Sequence, residues 1–144
     1  MSTPLNRAVQ IHKAIAHPVR LRILSMLEDG PLCGCQISAI VKLAASTVSE
    51  HLSELRRAGL VAEKKEGRWV EYRLAESDEP LVSALRDIAS DPAVRADAIL
   101  AKVLRRVPLE ELCSVGLDLG RLERPLVDTA VERAERMRLA GDSK

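Results

Sequence analysis

The sequence predicts a mainly α-helical fold carrying one small β-hairpin, and three observations predict it. The apolar content is aliphatic: Trp69 is the one Trp, Tyr72 the one Tyr, and there is no Phe. A core of Leu, Val, Ile and Ala suits packed helices. Apolar residues recur at helical spacing over most of the chain, in stretches divided by Pro and Gly. Between Leu60 and Leu74 the period falls to two, around Glu66-Gly67-Arg68.

The elements follow in order. A first helix is expected from Pro4 to Ala16, with Leu5, Ala8, Val9, His12 and Ile15 at roughly helical spacing. His17-Pro18 breaks it and opens a second, since proline is at home in a first turn. Val19, Ile23, Met26 and Leu27 are its stripe, and Asp29-Gly30-Pro31 ends it. Leu32-Cys33-Gly34-Cys35 then leads into a short helix, Gln36 to Lys42, with Ile37, Ile40 and Val41 inward. Leu43-Ala44-Ala45 is read as the turn. Ser46 or Thr47 is expected to cap a fourth helix, because Thr47-Val48-Ser49-Glu50 has capping-box form. Val48, Leu52 and Leu55 share its apolar face, and Ala58-Gly59 closes it.

Two strands follow, Leu60 to Lys65 and Trp69 to Leu74, with Val70, Tyr72 and Leu74 alternating against Trp69, Glu71 and Arg73. Pro80 opens a helix with Leu81, Leu85 and Ile88 on one face. Asp91-Pro92 caps and starts another, reaching about Arg106. A short amphipathic segment, Leu109 to Cys113, precedes a helix around Leu126 to Leu139 and a polar end. The expected organisation is a head over 1–90 and a helical extension over 91–144.

Composition narrows the function. The chain of 144 residues has 47% hydrophobic and 30% charged residues, an ordinary globular balance. No apolar run approaches the roughly 20 residues that span a bilayer, and no apolar segment follows a basic start at the N-terminus. A cytoplasmic location and no membrane partner are therefore expected. The net charge is only +1, so any attraction for nucleic acid must be local. Three cysteines, an odd number, do not suggest a disulfide framework.

Two short helices joined by a tight turn and followed by a hairpin make a winged helix-turn-helix. Such a head needs a second helix whose exposed face carries small polar groups able to reach base edges. Ser46, Thr47, Ser49, Glu50 and Ser53 supply that face, and Arg56 and Arg57 lie one turn further on, placed for phosphates. The hairpin adds Lys64, Lys65, Arg68 and Arg73, with Arg68 at the tip placed for a minor groove or the backbone. Singly, each of these is an ordinary solvated residue; it is their succession that points to double-stranded DNA. Five nearby glutamates, Glu50, Glu54, Glu63, Glu66 and Glu71, offset the charge, which predicts modest affinity with a measurable salt slope.

Residues from about Ala14 to Leu74 resemble the ArsR/SmtB family of metal-responsive repressors. The matching stretches are His17 to Leu24, Leu32-Cys33-Gly34-Cys35, Ser46 to Leu52, Leu55 to Val61, and the hairpin Lys65 to Leu74. The resemblance implies a homodimer formed through the first helix and the helix after the wing, here about Leu5 to Ala16 and Leu81 to Ser90. Ala44 departs from the family, which often has a polar cap there.

Cys33 and Cys35 stand at the entrance to the helix-turn-helix. Soft thiolates suit arsenite, antimonite, cadmium, lead or zinc rather than magnesium or calcium, and a helix N-terminus favours the thiolate. Residues two apart on a helix point about 200° away from each other, so a shared ion requires an extended or unwound backbone, which Gly34 makes cheap. Arsenic-responsive members of the family use a Cys-x-Cys here with a third cysteine. That resemblance implies Cys33, Cys35 and Cys113 as a three-sulfur site for arsenite or antimonite as inducer. Cys113 also reads as a buried apolar residue alongside Leu109 and Leu112. The family's zinc site on the helix after the wing needs His, and Leu81 to Asp91 has none. His12, His17 and His51 read as structural or DNA-proximal, although a zinc site recruiting His12 is compatible with the family.

The function expected is a repressor released from its operator by a thiophilic ion bound to cysteine thiolates. A thiol-based redox or reactive-sulfur sensor, or a cadmium, lead or zinc sensor, is the alternative on the same scaffold. A cysteine enzyme needs a positioned base and an oxyanion site, which do not stand out. Neither catalysis nor an organic cofactor is expected.

Overall fold

The computed structural model describes residues 3–75 and 78–142; of the polar end, Ser143 and Lys144 lie outside the described residues. The order is α1 (Pro4–Ile15), α2 (Pro18–Met26), a 3-10 turn (Leu27–Asp29), β1 (Leu32–Cys33), α3 (Gly34–Val41) and α4 (Ala45–Arg57). It continues with β2 (Val61–Glu66), β3 (Trp69–Leu74), α5 (Glu79–Ile88), α6 (Pro92–Leu104), α7 (Leu109–Ser114), a 3-10 turn (Leu119–Arg121) and α8 (Pro125–Asp142).

Local chemistry sets most boundaries. Thr3 caps α1, and the His17 ring accepts from the Val19 N–H at 3.1 Å to cap α2, with proline in both first turns. Asp91 caps α6 through the Ala93 N–H at 2.9 Å. The close of α4 uses Gly59 at φ +74°, where the Leu60 N–H reaches back to the Leu55 carbonyl at 2.9 Å. The hairpin is tighter than expected: Glu66 pairs with Trp69, leaving Gly67-Arg68 as a two-residue turn with Gly67 at φ +60°.

Three expectations are corrected. The hairpin is part of a three-stranded antiparallel sheet ordered β1-β3-β2, because Leu32 pairs with Tyr72 and Cys33 with Glu71. The clean alternation expected of β3 is absent: its residues are half-buried except for exposed Arg73. Helix α3 starts at Gly34, two residues earlier than read, since Gln36 lies in its first turn and its side chain accepts from the Cys33 N–H at 2.7 Å. The cap of α4 is Ala44, with no side-chain hydrogen bond, rather than Ser46 or Thr47. Lys42 at φ 57° ends α3 in a left-handed turn, so the chain re-enters helix at Ala45 and both hydroxyls fall inside the first turn.

One apolar core runs through the molecule. Ile23, Leu24, Ile37, Leu52, Leu55 and Leu60 form its centre, each at most 2% exposed, and full burial of such a side chain contributes about 1.5–3 kcal/mol. Helix α6 lies against α2 and α3 and adds Ala96, Leu100, Ala101 and Leu104 to the same core. Helix α8 packs along α6, with Val127, Ala130 and Ala134 buried. Asp97 of α6, 1% exposed, receives two hydrogen bonds from Arg22 of α2, at 2.8 and 2.9 Å, and one from Arg138 of α8 at 3.4 Å. Among the described residues, no helix is long and apolar enough to cross a membrane.

Candidate nucleic-acid interface and thiol site

Helix α4 buries Val48, Leu52 and Leu55 against the core and turns the opposite face outward. Ser46, Ser49 and Glu50 are exposed on that face, while Thr47 and Ser53 are half-buried along its edges. The face is therefore narrower than the five residues read from the sequence. Arg56 and Arg57 are exposed at its far end, and Lys64, Lys65, Arg68 and Arg73 are exposed on the hairpin.

The cations are not all free. Arg56 of α4 meets Glu63 of β2 at 2.5 Å, tying the helix to the wing. Arg57 meets Glu54 at 2.5 Å and Lys64 meets Glu66 at 3.0 Å. Arg68 lies over the Trp69 ring, 4.7 Å from its centroid, which steadies the side chain at the wing tip. His17 and His51, read from the sequence as structural or DNA-proximal, meet here. His51 of α4 accepts from Arg20 at 3.2 Å and sits 4.5 Å, ring to ring, from His17. Burial first, then His17 and Arg20, hold His51 below the usual imidazole range.

The three cysteines come from three elements. Cys33 ends β1 with extended backbone (φ −79°, ψ 155°) and is buried. Cys35 is half-buried in the first turn of α3, and Cys113 is exposed on α7. The unwinding required between Cys33 and Cys35 is thus met by a strand end, with Gly34 itself helical. Exposure of Cys113 overturns its reading as a core residue; Leu112 takes that place at 1% exposed. The Cys113 sulfur lies 3.9 Å from that of Cys35 in the same chain. Disulfide sulfurs are about 2.05 Å apart, so this is a dithiol.

Cys33 and Cys35 are held protonated, against the expectation from the helix terminus. Burial, then Cys113, pushes the Cys35 thiol up to about 11. Burial, then Glu71, pushes Cys33 up as well. A backbone hydrogen bond at Cys35 does not outweigh the loss of water around its sulfur. Among the described residues, no three His, Cys, Asp or Glu side chains converge as a ready metal site.

The surroundings of the thiols are firmly held, by contacts that leave no local signal in the sequence. A cleft of ≈ 180 Å³ joins Cys33 and Cys35 to Ser49 of α4 and to Trp69 and Tyr72 of β3. Arg124 grips Glu111 of α7 with hydrogen bonds of 2.7 and 2.6 Å, and these bonds, then its charge, hold that carboxyl below the usual range. The Gln36 side chain, buried at 7% exposed, also donates to the Leu104 carbonyl at 3.1 Å.

Comparison with known proteins agrees with this geometry. Residues 17–63 match the family model described as bacterial regulatory protein, arsR family. The arsenical resistance operon repressor of Escherichia coli K12 is 31% identical over 107 residues, covering 74% of this chain and 88% of that protein. An HTH-type transcriptional regulator of Methanocaldococcus jannaschii is 41% identical over 71 residues, covering 49% and 80%. Among solved structures, HlyU from Vibrio cholerae N16961 superposes with a TM-score of 0.53 at 35% identity, over 61% of this chain and 94% of that one. The chain belongs to the ArsR family of bacterial regulatory proteins, and it is a DNA-binding transcriptional regulator with a winged helix-turn-helix head.

Proposed function

We propose that this regulator is a repressor that leaves its operator when arsenite or antimonite is taken up by Cys33, Cys35 and Cys113. The observation that carries the reading is the 3.9 Å separation of the Cys35 and Cys113 sulfurs, 78 positions apart in sequence. A tetrahedral ion with bonds of about 2.3 Å to sulfur holds its sulfurs about 3.8 Å apart, and a pyramidal trivalent ion draws them somewhat closer, so the pair is a short closure away from chelating either. Cys33 lies at the end of β1, next but one to Cys35, and has only to close on that pair. The likeness to a protein named arsenical resistance operon repressor is a second support.

Thiol chemistry favours the trivalent hydroxides over divalent cations. Arsenite carries its own bases: As(OH)3 + 3 RSH gives As(SR)3 + 3 H2O, so thiols leave their protons on hydroxide. A divalent cation must first ionise each thiol, and burial opposes that at Cys33 and Cys35. Arsenite affinity is therefore expected to be nearly flat from pH 6 to 8. Cadmium affinity is expected to rise by about tenfold per pH unit for each thiol displaced. Operator release by cadmium, lead or zinc and not by arsenite identifies a sensor of those ions.

On DNA, Ser46, Thr47, Ser49, Glu50 and Ser53 face base edges, while Arg56, Arg57, Lys64, Lys65, Arg68 and Arg73 meet the backbone or a minor groove. A homodimer in the cytoplasm, paired through α1 and α5, sets the spacing of two heads. Leu5 and Val9 of α1, 74% and 44% exposed, support that pairing. Helix α5 contributes less than its stripe suggested, since Leu81 and Leu85 are spent inside the subunit.

The test is release of the protein from its own promoter DNA, followed by fluorescence anisotropy. Arsenite is expected to release the wild type, while Cys35→Ser and Cys113→Ser bind the operator normally and stay bound. Normal release of Cys113→Ser overturns the three-sulfur site. The same dithiol supports a second reading, oxidation to a Cys35–Cys113 disulfide; release by hydrogen peroxide and not by arsenite would establish it.

A further inference from the structure

We infer that Arg105 and Gln36 are positioning residues that carry occupancy of the thiol site into the DNA-reading head, an inference that rests on the reading proposed above. Both act on β1. Arg105, at the C-terminal end of α6, donates to the carbonyls of Met26 at 2.9 Å, Gly30 at 2.7 Å and Pro31 at 3.2 Å. It thereby holds the segment entering β1 by three carbonyls. Gln36 holds the far end, taking the Cys33 N–H on its oxygen at 2.7 Å and giving its own N–H to the Leu104 carbonyl at 3.1 Å. The last turn of α6 thus brackets a two-residue strand from both sides.

That strand has one free direction, and it leads to DNA. Leu32 and Cys33 pair with Tyr72 and Glu71 of β3, the inner strand of the wing. From this same end of α6 the chain runs through Val107 and Pro108 into α7, which carries Cys113. Glu111 of α7 is fixed in turn to Arg124. Closing Cys113 and Cys35 on one ion moves α7, and α6 can follow only by shifting what Arg105 and Gln36 hold. The displaced part is β1, and with it β3 and the Arg68–Trp69 tip. Without the bracket, the same closure is absorbed between α6 and β1 and the wing stays in place. Packed elements have discrete arrangements and transmit such shifts.

The quantity that tests this is the ratio of operator dissociation constants with and without arsenite, measured on the full chain. Ion uptake is followed separately by ultraviolet absorbance of the arsenic–thiolate bonds. For the wild type the ratio is expected within the usual range for allosteric coupling, about 5–150-fold. In Arg105→Met and in Gln36→Met it is expected to fall to about 2-fold or less, with uptake and arsenite-free operator affinity unchanged. Arg105→Lys, which retains charge and donors, is expected to restore part of the ratio, which loss of packing alone would not do. Should Arg105→Met not fold, Gln36→Met and Arg105→Lys carry the test. Wild-type ratios in both folded variants, with normal uptake, overturn the inference and leave the functional reading intact. A wild-type protein whose operator affinity ignores arsenite overturns both.

Discussion

Arginine–carboxylate pairs do opposite work in two regions of this molecule. At the junction of α2, α6 and α8, Asp97 is 1% exposed and Arg22 and Arg138 are about a quarter exposed, at 24% and 25%. On the face proposed to read DNA, the pairs Arg56–Glu63 and Arg57–Glu54 are 39% to 70% exposed. In the dry site a carboxylate can exist only with its partners, and the pairing fixes how the helices sit. In the wet site the partners are interchangeable with water and ions, so pairing keeps the arginines extended and available. Burial, more than distance, decides whether an ion pair belongs to the fold or is held ready for something else.

The sharpest break in that contrast is at Asp97. Asp97→Ala leaves Arg22 without its partner in a mostly buried place, and a loss of about 3–5 kcal/mol is expected in denaturant unfolding. Glu63→Ala on the wing is expected to cost under about 1 kcal/mol; equal costs would erase the distinction. For DNA the order reverses. Arg68→Ala is expected to weaken operator binding by about 1–2 kcal/mol and lower the salt slope by about one. Asp97→Asn, at a temperature where it stays folded, is expected to leave that slope alone. A smaller effect tests the competition itself: Glu63→Gln frees Arg56 and is expected to tighten operator binding severalfold at low salt, fading as salt rises. The smallest is at His51. The folded state resists a proton that the unfolded chain takes up below about pH 6.5. Stability held above that pH is lost as pH falls, and His51→Gln is expected to make the decline shallower.

The helices and the hairpin were legible because their signals are local: proline in the first turns of α1, α2 and α6, Gly59 after α4, and period two around Gly67. What escaped was made by contacts between distant residues. Strand β1 has two residues and no pattern of its own; it exists because Leu32 finds Tyr72. The start of α4 was misread because Ser46 and Thr47 are good caps, whereas the left-handed turn at Lys42 had already determined the entry. For the thiols, residue type gave the chemistry and left Cys113 open, since nothing in Leu109 to Cys113 shows which face meets Cys35. The protonated state of Cys33 and Cys35 escaped as well, because burial is a property of the assembled core.

The Gln36 side chain has a consequence that can be followed one proton at a time. It accepts the Cys33 backbone N–H, so the hydrogen on that nitrogen is sheltered by a side chain that is itself anchored to the end of α6. Deuterium can replace it only when Gln36 lets go, a local opening far smaller than unfolding. Its exchange rate, set beside that of a core amide such as Leu55, is a gauge of how often the end of α6 loosens its hold on β1.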